Sequence, residues 1–221
     1  MLLLPYLAGL QYGVDWLQVP LLVVWLAGWL ASYYALLAVK TLRLGPVWRQ
    51  VLAYGAVSAV AAVPLFVFKP GLLLFSPVFA VLLLVNVVAT RIGQERSTGN
   101  GFASVTMASL MAMIVPATAG LDWRLGVPAA IATWLYLAGT VVYVKTMIRE
   151  RGSRSHFVVS AAFHVGALAA SVAVDPWLAI PFAYFLLRAI VMPRFRPKVV
   201  VVGMLEVVNA LVLLAFLVAR L

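Results

Sequence analysis

The sequence predicts an all-α fold, a polytopic transmembrane helix bundle with eight full spans and a partial ninth helix at the N-terminus. Of its 221 residues, 66% are hydrophobic and 10% are charged, whereas a soluble domain carries about 25% charged residues. The mean hydropathy is +1.11. Long apolar runs alternate with short loops that hold most of the charges, and no run shows the alternating polarity of a transmembrane β-strand. Lipid is therefore the predicted solvent for most of the chain.

The spans follow from the length of each apolar run, because a helix needs about 20 apolar residues to cross the hydrocarbon layer. Only helices satisfy their backbone groups internally in an open-ended span. The opening run Met1–Gln11 is too short to span and is interpreted as the second half of a ninth helix. We expect one integral-membrane domain over residues 1–221. The eight predicted spans are Leu17–Val39, Gln50–Phe68, Leu73–Thr90, Phe102–Ala119, Val127–Lys145, Phe157–Val174, Pro176–Val191 and Val199–Ala219.

Turn residues support these boundaries. The sequence Lys69-Pro70-Gly71 is expected to separate the second span from the third. Pro176 follows Asp175, a favourable N-cap residue, and proline is tolerated in the first turn of a helix. Both signals lie at the ends of apolar runs, as the predicted span boundaries require.

The distribution of basic residues predicts the orientation. The net charge of +10 raises the question of nucleic-acid binding, but the charges are confined to short loops, so no nucleic-acid partner is predicted. With the N-terminus in the cytoplasm and the partial first helix counted as a span, the outer face holds only Lys69, Arg124 and Arg220. The positive-inside rule then predicts a multi-pass protein of the bacterial cytoplasmic membrane whose basic loops contact anionic lipid headgroups. The cytoplasmic set is Lys40, Arg43, Arg49, Arg91, Arg96, Lys145, Arg149, Arg151, Arg154, Arg188, Arg194, Arg196 and Lys198.

Two cytoplasmic loops have similar sequences, IGQERSTGN over Ile92–Asn100 and IRERGSRSH over Ile148–His156. The simpler interpretation is that each loop uses arginine to set topology, with a glutamate as local partner. The alternative is an internal duplication whose loops frame a shared cytoplasmic mouth, since parallel repeats occur in membrane folds. The chain has no cysteine, which excludes disulfides, thiolate metal sites and cysteine nucleophiles.

Polar residues at membrane depth are the candidate ligand-binding residues, because burying such groups in lipid is costly. We expect them to converge on one pocket open to the cytoplasm. Each also has a structural interpretation: a histidine or asparagine that only packs against a neighbouring helix, or an arginine that extends to the headgroups. The carboxylate requires a partner or a proton, and the histidine or the arginine is its predicted partner. The candidates are His164, Glu206, Arg188, Asn86 and Asn209.

Several segments resemble the bacterial YwiC-like membrane family. They are MLLLPYLAGLQYGVDWLQ, VFAVLLLVNVVATRIGQERSTGNGFASVTMASLMA and VVYVKTMIRERGSRSHFVVSAAFH. The resemblance covers nearly the whole chain. Family members usually carry a short basic segment and a His-Gly-Ala-Trp-Ala stretch before the residues that match from Met1, and this sequence does not have them. The family implies no particular reaction.

The chain is also distantly similar to the UbiA-type prenyltransferases, which have nine helices and a cytoplasm-facing cavity. In those enzymes two aspartate-rich motifs hold Mg²⁺ against a prenyl diphosphate. The loops at the matching places here, around Tyr33–Arg49 and Tyr143–His156, depart from that pattern. YYALLAVKTLR has no carboxylate and the second loop has only Glu150, so no metal site is predicted. The phosphate-contact candidates are instead the basic residues Lys40, Arg43, Lys145, Arg149 and Arg151.

Three functional hypotheses follow from the residues and the resemblance. The first is a UbiA-like, cytoplasm-facing pocket for a lipid or isoprenoid ligand, in a divergent transferase or a non-catalytic relative. The alternative is a small proton-coupled transporter or permease that uses Glu206 and His164 as a proton relay. The third is a structural or accessory subunit whose polar residues pack singly. The sequence leaves the catalytic residues, any cofactor and the oligomeric state open.

The orientation makes a direct prediction. Because the natural chain has no cysteine, single cysteines placed beside Arg43 and beside Arg151 provide unique labels. Both are expected to react with a membrane-impermeant thiol reagent from the cytoplasmic side only, and a cysteine beside Arg124 serves as the control for the other side. Labelling of the first two positions from different sides would contradict the predicted topology.

Overall fold

The computed structural model describes residues 2–195 and 197–221, so Met1 and the predicted loop cation Arg196 lie outside it. Within these ranges the chain forms ten α-helices and no strand. Four short 3-10 helices adjoin them, over Pro70–Phe75, Trp123–Gly126, Pro176–Leu178 and Met192–Arg194. The α-helices are α1 Leu3–Leu10, α2 Gln18–Thr41, α3 Trp48–Phe68, α4 Ser76–Arg91, α5 Thr98–Ser109, α6 Met111–Thr118, α7 Val127–Ile148, α8 Arg154–Val174, α9 Ala179–Val191 and α10 Val199–Arg220.

Eight helical segments in the described ranges are long and apolar enough to cross a membrane, which confirms the predicted polytopic helix bundle. The N-terminal helix α1 has eight residues, too few to span. The fourth span consists of two helices, α5 and α6, separated at Leu110. The sequence predicted one continuous helix there. The spans are Gln18–Thr41, Trp48–Phe68, Pro70–Arg91, Thr98–Thr118, Trp123–Ile148, Arg154–Val174, Pro176–Arg194 and Val199–Arg220.

The helix ends follow local chemistry. Helix α3 ends at Phe68, and the proline of the Lys69-Pro70-Gly71 break begins a 3-10 turn. Asp175 accepts a hydrogen bond from the backbone nitrogen of Trp177 at 2.8 Å, as its predicted N-cap position requires. After α7, Gly152 has φ +88°, a left-handed conformation that glycine adopts without steric cost. These short-range signals explain why the span boundaries were predictable.

The chain divides into two compact units, which we describe separately. The C-terminal unit consists of Met1–Gln11, Ala108–Ala112 and Val127–Leu221. The N-terminal unit consists of Tyr12–Met107 and Met113–Gly126. No feature of the amino-acid sequence indicated this division, and the single domain over residues 1–221 remains a prediction.

In the N-terminal unit, α2 packs against α3 and α4. Ser58 on α3 donates a hydrogen bond to the carbonyl of Val24 on α2 at 3.2 Å. A Cβ at Gly28 would lie 3.3 Å from the same hydroxyl, so the glycine permits this close approach. Large apolar side chains such as Val60 and Leu74 are 72% and 80% exposed. Such surfaces are normal for helices that face lipid.

In the C-terminal unit, α7 packs against α8, and α8 packs against α9. Helix α10 contacts α7 and α9, while the short α1 contacts α7 and α10. Tyr143, Met147, Ala189 and Val202 form a buried cluster that joins α7, α9 and α10. Most side chains of α7 are buried. Helix α7 is thus the central element of this unit, and its polar residues face protein.

An ion pair joins two basic loops of the N-terminal unit. Lys40 at the end of α2 donates to Glu95 in the loop after α4. Asn100 donates to the backbone carbonyl of Glu95 at 2.9 Å, which fixes the loop beside α5. The glutamate of IGQERSTGN therefore has a cation partner, although the partner comes from another loop.

The hydrogen bond from Lys40 holds the pKa of Glu95 below its usual range. A lowered folded-state pKa means that the carboxylate contributes stability at neutral pH, and that this contribution disappears as the pH falls through the lowered value. Lys40→Met is expected to raise the pKa of Glu95. The chain has three glutamates, so carbon-13 labelling of glutamate permits an NMR titration, with Glu95→Gln as the assignment.

Arg43→Met is the matched control, because it removes a neighbouring loop cation and leaves Lys40 in place. It is expected to change the pKa of Glu95 less than Lys40→Met does. An equal rise in both variants would show that general loop charge, and not the Lys40 contact, sets this pKa.

A buried ion pair and its polar neighbours as the candidate functional site

The central feature of the candidate site is an ion pair inside the C-terminal unit. Arg188, in the last turn of α9, donates through Nη1 to Oε1 of Glu206 on α10. Their side chains are 3% and 9% exposed. Of the two predicted partners of Glu206, the structure gives Arg188 this direct contact. Arg188 therefore points into the unit, rather than extending to the headgroups as one interpretation proposed.

Helix α7 supplies two further partners for Glu206. The Thr140 hydroxyl donates to Oε2 of Glu206 at 2.8 Å. The Tyr136 hydroxyl lies 2.8 Å from the backbone carbonyl of Glu206 and 3.2 Å from Oε2. Both carboxylate oxygens are thus hydrogen-bonded, which offsets the cost of burying the charge.

Tyr136 and Thr140 were not among the candidate residues predicted from the sequence. Hydroxyl side chains are common in membrane helices, where they can bond to the carbonyls of their own helix, so each is a weak signal when taken singly. The available signal was their spacing. Tyr136, Thr140 and Tyr143 recur at helical intervals on one side of α7, and a polar stripe inside an apolar helix predicts a shared polar partner.

Two aromatic rings lie close to the guanidinium of Arg188. Its Cζ lies 4.2 Å from the ring centroid of Tyr143 and 5.6 Å from that of Phe185. Such stacking stabilises a buried cation through the ring quadrupole. Two of its nitrogens, Nε and Nη2, are buried and have no hydrogen-bond partner among the residues that the structure describes.

Other buried polar groups on these helices also have no partner within the described chain. They are the hydroxyl of Tyr143 and both polar atoms of the Asn209 side chain. Asn209 is 0% exposed and lies one turn from Glu206 on α10. An unsatisfied buried polar group costs about 1–3 kcal/mol. The unpartnered groups thus lie on the same three helices that carry the ion pair and its hydroxyl partners.

His164 on α8 bonds to its own helix, with Nδ1 at 2.7 Å from the carbonyl oxygen of Ser160. A Cβ at Gly139 on α7 would lie 3.1 Å from Nε2 of His164, so the glycine gives the imidazole its space. The histidine is 4% exposed. The structure thus places His164 at the α7–α8 contact and gives it no direct hydrogen bond to Glu206.

Asn86 belongs to the N-terminal unit. It donates to the carbonyl of Leu82 at 2.9 Å, and Ser104 donates to its Oδ1 at 2.9 Å. Its amide also lies 3.8 Å from the sulfur of Met107. These contacts match the interpretation of Asn86 as a residue that links neighbouring helices.

The predicted phosphate contacts are divided between the units. Lys40 and Arg43 lie in the N-terminal unit, and Lys40 is paired with Glu95. Lys145, Arg149 and Arg151 lie in the C-terminal unit. Arg151 donates from Nε to the carbonyl of Met147 and from Nη2 to that of Pro197, both at 3.0 Å. Its two-donor edge is therefore occupied by backbone oxygens.

The described residues contain no group of three or more His, Cys, Asp or Glu side chains placed to hold a metal ion. The polar cluster of the C-terminal unit consists instead of hydroxyls, an amide and one ion pair. We call this set the Arg188 cluster; its members are Arg188, Glu206, Tyr136, Thr140, Tyr143 and Asn209.

The eight apolar helices and the buried Arg188 cluster define a multi-pass membrane protein with a polar centre. The chain belongs to the YwiC-like protein family, whose family model matches residues 1–116. It is 29% identical over 228 residues to an uncharacterized protein of Haemophilus influenzae, an alignment that covers 100% of this chain and 94% of that protein. It is also 29% identical over 229 residues to the uncharacterized protein YwiC of Bacillus subtilis, covering 97% of this chain and 91% of that protein. No solved structure matches the chain.

The buried ion pair makes a prediction about stability. Glu206→Ala leaves the charge of Arg188 buried without compensation and is expected to cost about 3–5 kcal/mol of the free energy of unfolding. The double variant Arg188→Met with Glu206→Leu removes both charges and is expected to recover most of this loss. Unfolding with sodium dodecyl sulfate in detergent micelles measures each value.

The exposed pair Arg124–Asp122, with side chains 72% and 52% exposed, provides the control. Asp122→Ala is expected to change the free energy of unfolding by less than about 1 kcal/mol. An effect of Glu206→Ala as small as this control would contradict the burial of Arg188 and would mean that its charge reaches water or another anion.

Proposed function

We propose that this protein binds a lipid-like or isoprenoid ligand inside its C-terminal unit, with the polar head of the ligand at the Arg188 cluster. The apolar part of the ligand would lie among the surrounding side chains or lipid tails. The proposal covers a divergent transferase and a non-catalytic binding protein alike, because both require the same bound state.

The observation that carries this proposal is the set of unpartnered buried groups. Arg188 keeps two nitrogens without a partner among the described residues, although its side chain is only 3% exposed. Asn209 is fully buried with neither polar atom bonded in the described chain. A purely structural cluster would gain stability by replacing these groups with apolar ones. A ligand that bonds to them gives a physical reason for their presence.

The distant similarity to the UbiA-type enzymes remains part of the proposal, because it suggests prenyl compounds as the class of ligand. The chemistry proposed here differs from that of the UbiA-type enzymes, because YYALLAVKTLR contains no carboxylate and Glu150 is the single carboxylate of the second loop. Mg²⁺ usually reaches phosphates through one or two carboxylates. We therefore propose that side-chain cations and amides, rather than an aspartate-held metal, contact the headgroup.

The transporter hypothesis assigns proton relay to Glu206 and His164, and its residues are partly those of the Arg188 cluster. Relay would require Glu206 to exchange protons while Arg188, Thr140 and Tyr136 donate to it. His164 bonds to Ser160 of its own helix, so a relay needs a further carrier between the two residues. These contacts favour ligand binding over proton relay, and proton-coupled flux in liposomes that Glu206→Gln abolishes would reverse that preference.

The test uses Asn209→Leu, which is close to isosteric. If Asn209 binds a ligand, this variant is expected to unfold at a higher temperature than the natural protein without ligand, since an unsatisfied buried amide is removed. It is also expected to bind isoprenoid probes more weakly. Purified protein in lipid nanodiscs is titrated with tritiated farnesol and tritiated farnesyl diphosphate, and saturable binding of either probe supports the proposal.

Ser171→Ala is the matched control. Ser171 lies at the C-terminal end of α8, is fully buried, and donates to the carbonyl of Leu168 on its own helix at 2.8 Å. It is expected to leave binding unchanged. Absence of saturable binding for both probes, or equal binding by Asn209→Leu and the natural protein, would refute the proposed function.

A further inference from the structure

One edge of the Arg188 guanidinium is the feature on which this inference rests. Nη1 donates to Glu206, whereas Nε and Nη2 have no partner in the described chain. Nε and Nη2 lie on the same edge of the planar group and direct two N–H bonds in parallel. This edge matches the two oxygens of a carboxylate or phosphate, and such bidentate pairs are among the stronger hydrogen-bonded contacts in proteins.

The surroundings limit how a ligand can approach this edge. The ring centroids of Tyr143 and Phe185 lie 4.2 Å and 5.6 Å from Cζ, so two aromatic rings lie close to the guanidinium. The Nη1 side is taken by Glu206. Of the guanidinium nitrogens, Nε and Nη2 are therefore the two left to bond to a ligand, and hydrogen bonds to them are strongest along their N–H directions, in the plane of the group.

The other unpartnered atoms indicate what the ligand must supply. Arg188 Nε, Arg188 Nη2 and Asn209 Nδ2 are all donors, and Asn209 Oδ1 is the one obligatory acceptor. The Tyr143 hydroxyl serves in either role. Donors outnumber acceptors, so the complementary headgroup is rich in acceptor oxygens.

We infer that the ligand carries an anionic headgroup, a phosphate or a carboxylate, whose two oxygens accept hydrogen bonds from Nε and Nη2 of Arg188. This inference rests on the proposed function and adds the chemical class of the headgroup. Arg188 is the binding residue. Glu206 is a positioning residue, because it holds the third nitrogen of Arg188 and thereby aims the free edge.

If Arg188 binds the anion and Glu206 positions Arg188, substitutions of the two residues are expected to change the affinity for an anion in opposite directions. Arg188→Lys keeps the positive charge but replaces the two parallel N–H groups of the guanidinium by a single ammonium group, so anion binding weakens. Glu206→Gln keeps the size of the side chain and its hydrogen bonds, because the hydroxyls of Tyr136 and Thr140 can accept as well as donate. It removes the negative charge that competes with the ligand, so anion binding becomes tighter.

The experiment compares four probes in nanodiscs: farnesyl phosphate, palmitate, farnesol and inorganic phosphate. Farnesyl phosphate and farnesol share a tail and differ in the headgroup, while palmitate tests the carboxylate. Farnesyl phosphate or palmitate is expected to bind at least about tenfold more tightly than farnesol, as charge-assisted bidentate bonds are about twice as strong as neutral ones. Arg188→Lys is expected to remove about the same factor, and Glu206→Gln is expected to tighten binding of the anionic probe alone.

Arg124→Lys is the matched control, since Arg124 is exposed and paired with Asp122 outside the cluster. Thermal unfolding checks that each variant is folded. If Glu206→Gln does not fold, Asn209→Leu is the second variant whose binding is measured. Weaker or unchanged anion binding in a folded Glu206→Gln variant overturns the inference.

The probes also separate the two proposals. Saturable farnesol binding as tight as that of the anions, and insensitive to Arg188→Lys, overturns the anionic headgroup but leaves the proposed function standing. Inorganic phosphate binding as tightly as farnesyl phosphate keeps the anion and overturns the lipid-like ligand. Failure of every probe overturns both proposals.

Discussion

The C-terminal unit depends on one constraint, the burial of opposite charges on α9 and α10. An isolated guanidinium or carboxylate inside a membrane protein is costly, so Arg188 and Glu206 must stay together whatever else the unit does. Helix α7 completes the arrangement with Tyr136 and Thr140 on the carboxylate and with the ring of Tyr143 on the guanidinium. Three helices thereby acquire a fixed mutual register from polar contacts, in a medium where apolar contacts alone give little directional preference.

The hydrogen-bonding groups of the Glu206 carboxylate have more partners than those of the Arg188 guanidinium. Glu206 has partners on both oxygens, whereas the free edge of Arg188 and the amide of Asn209 have none in the described residues. This asymmetry distinguishes the cluster from a simple structural salt bridge. It is the physical basis of the proposed ligand site, and it explains why the candidate chemistry is binding by fixed donors.

Much of the architecture was predictable because lipid imposes a simple rule on composition. Apolar length located the eight spans, and Pro70 and Asp175 mark boundaries through backbone preferences that act over a few residues. The predicted partnership of Glu206 followed from the cost of a buried charge. The contacts of Arg151 did not follow, since they depend on which backbone carbonyls the fold brings within reach. The division into two units was equally hidden, because each unit combines segments that are distant in the sequence.

Arg151 has a mechanical consequence. Its guanidinium joins the last turn of α7 to the residue pair that precedes α10, through the carbonyls of Met147 and Pro197. Helix α7 carries the hydroxyls of the cluster and α10 carries Glu206 and Asn209, so this side chain in the loops resists axial sliding of one helix past the other. The contacts of Arg151 lie at the loop ends of α7 and α10. They therefore oppose separation of the two helices much less at the other ends of these helices. We therefore expect the unit to open, when it does, by a hinge motion in which α7 and α10 stay together at the basic loops and separate at their other ends.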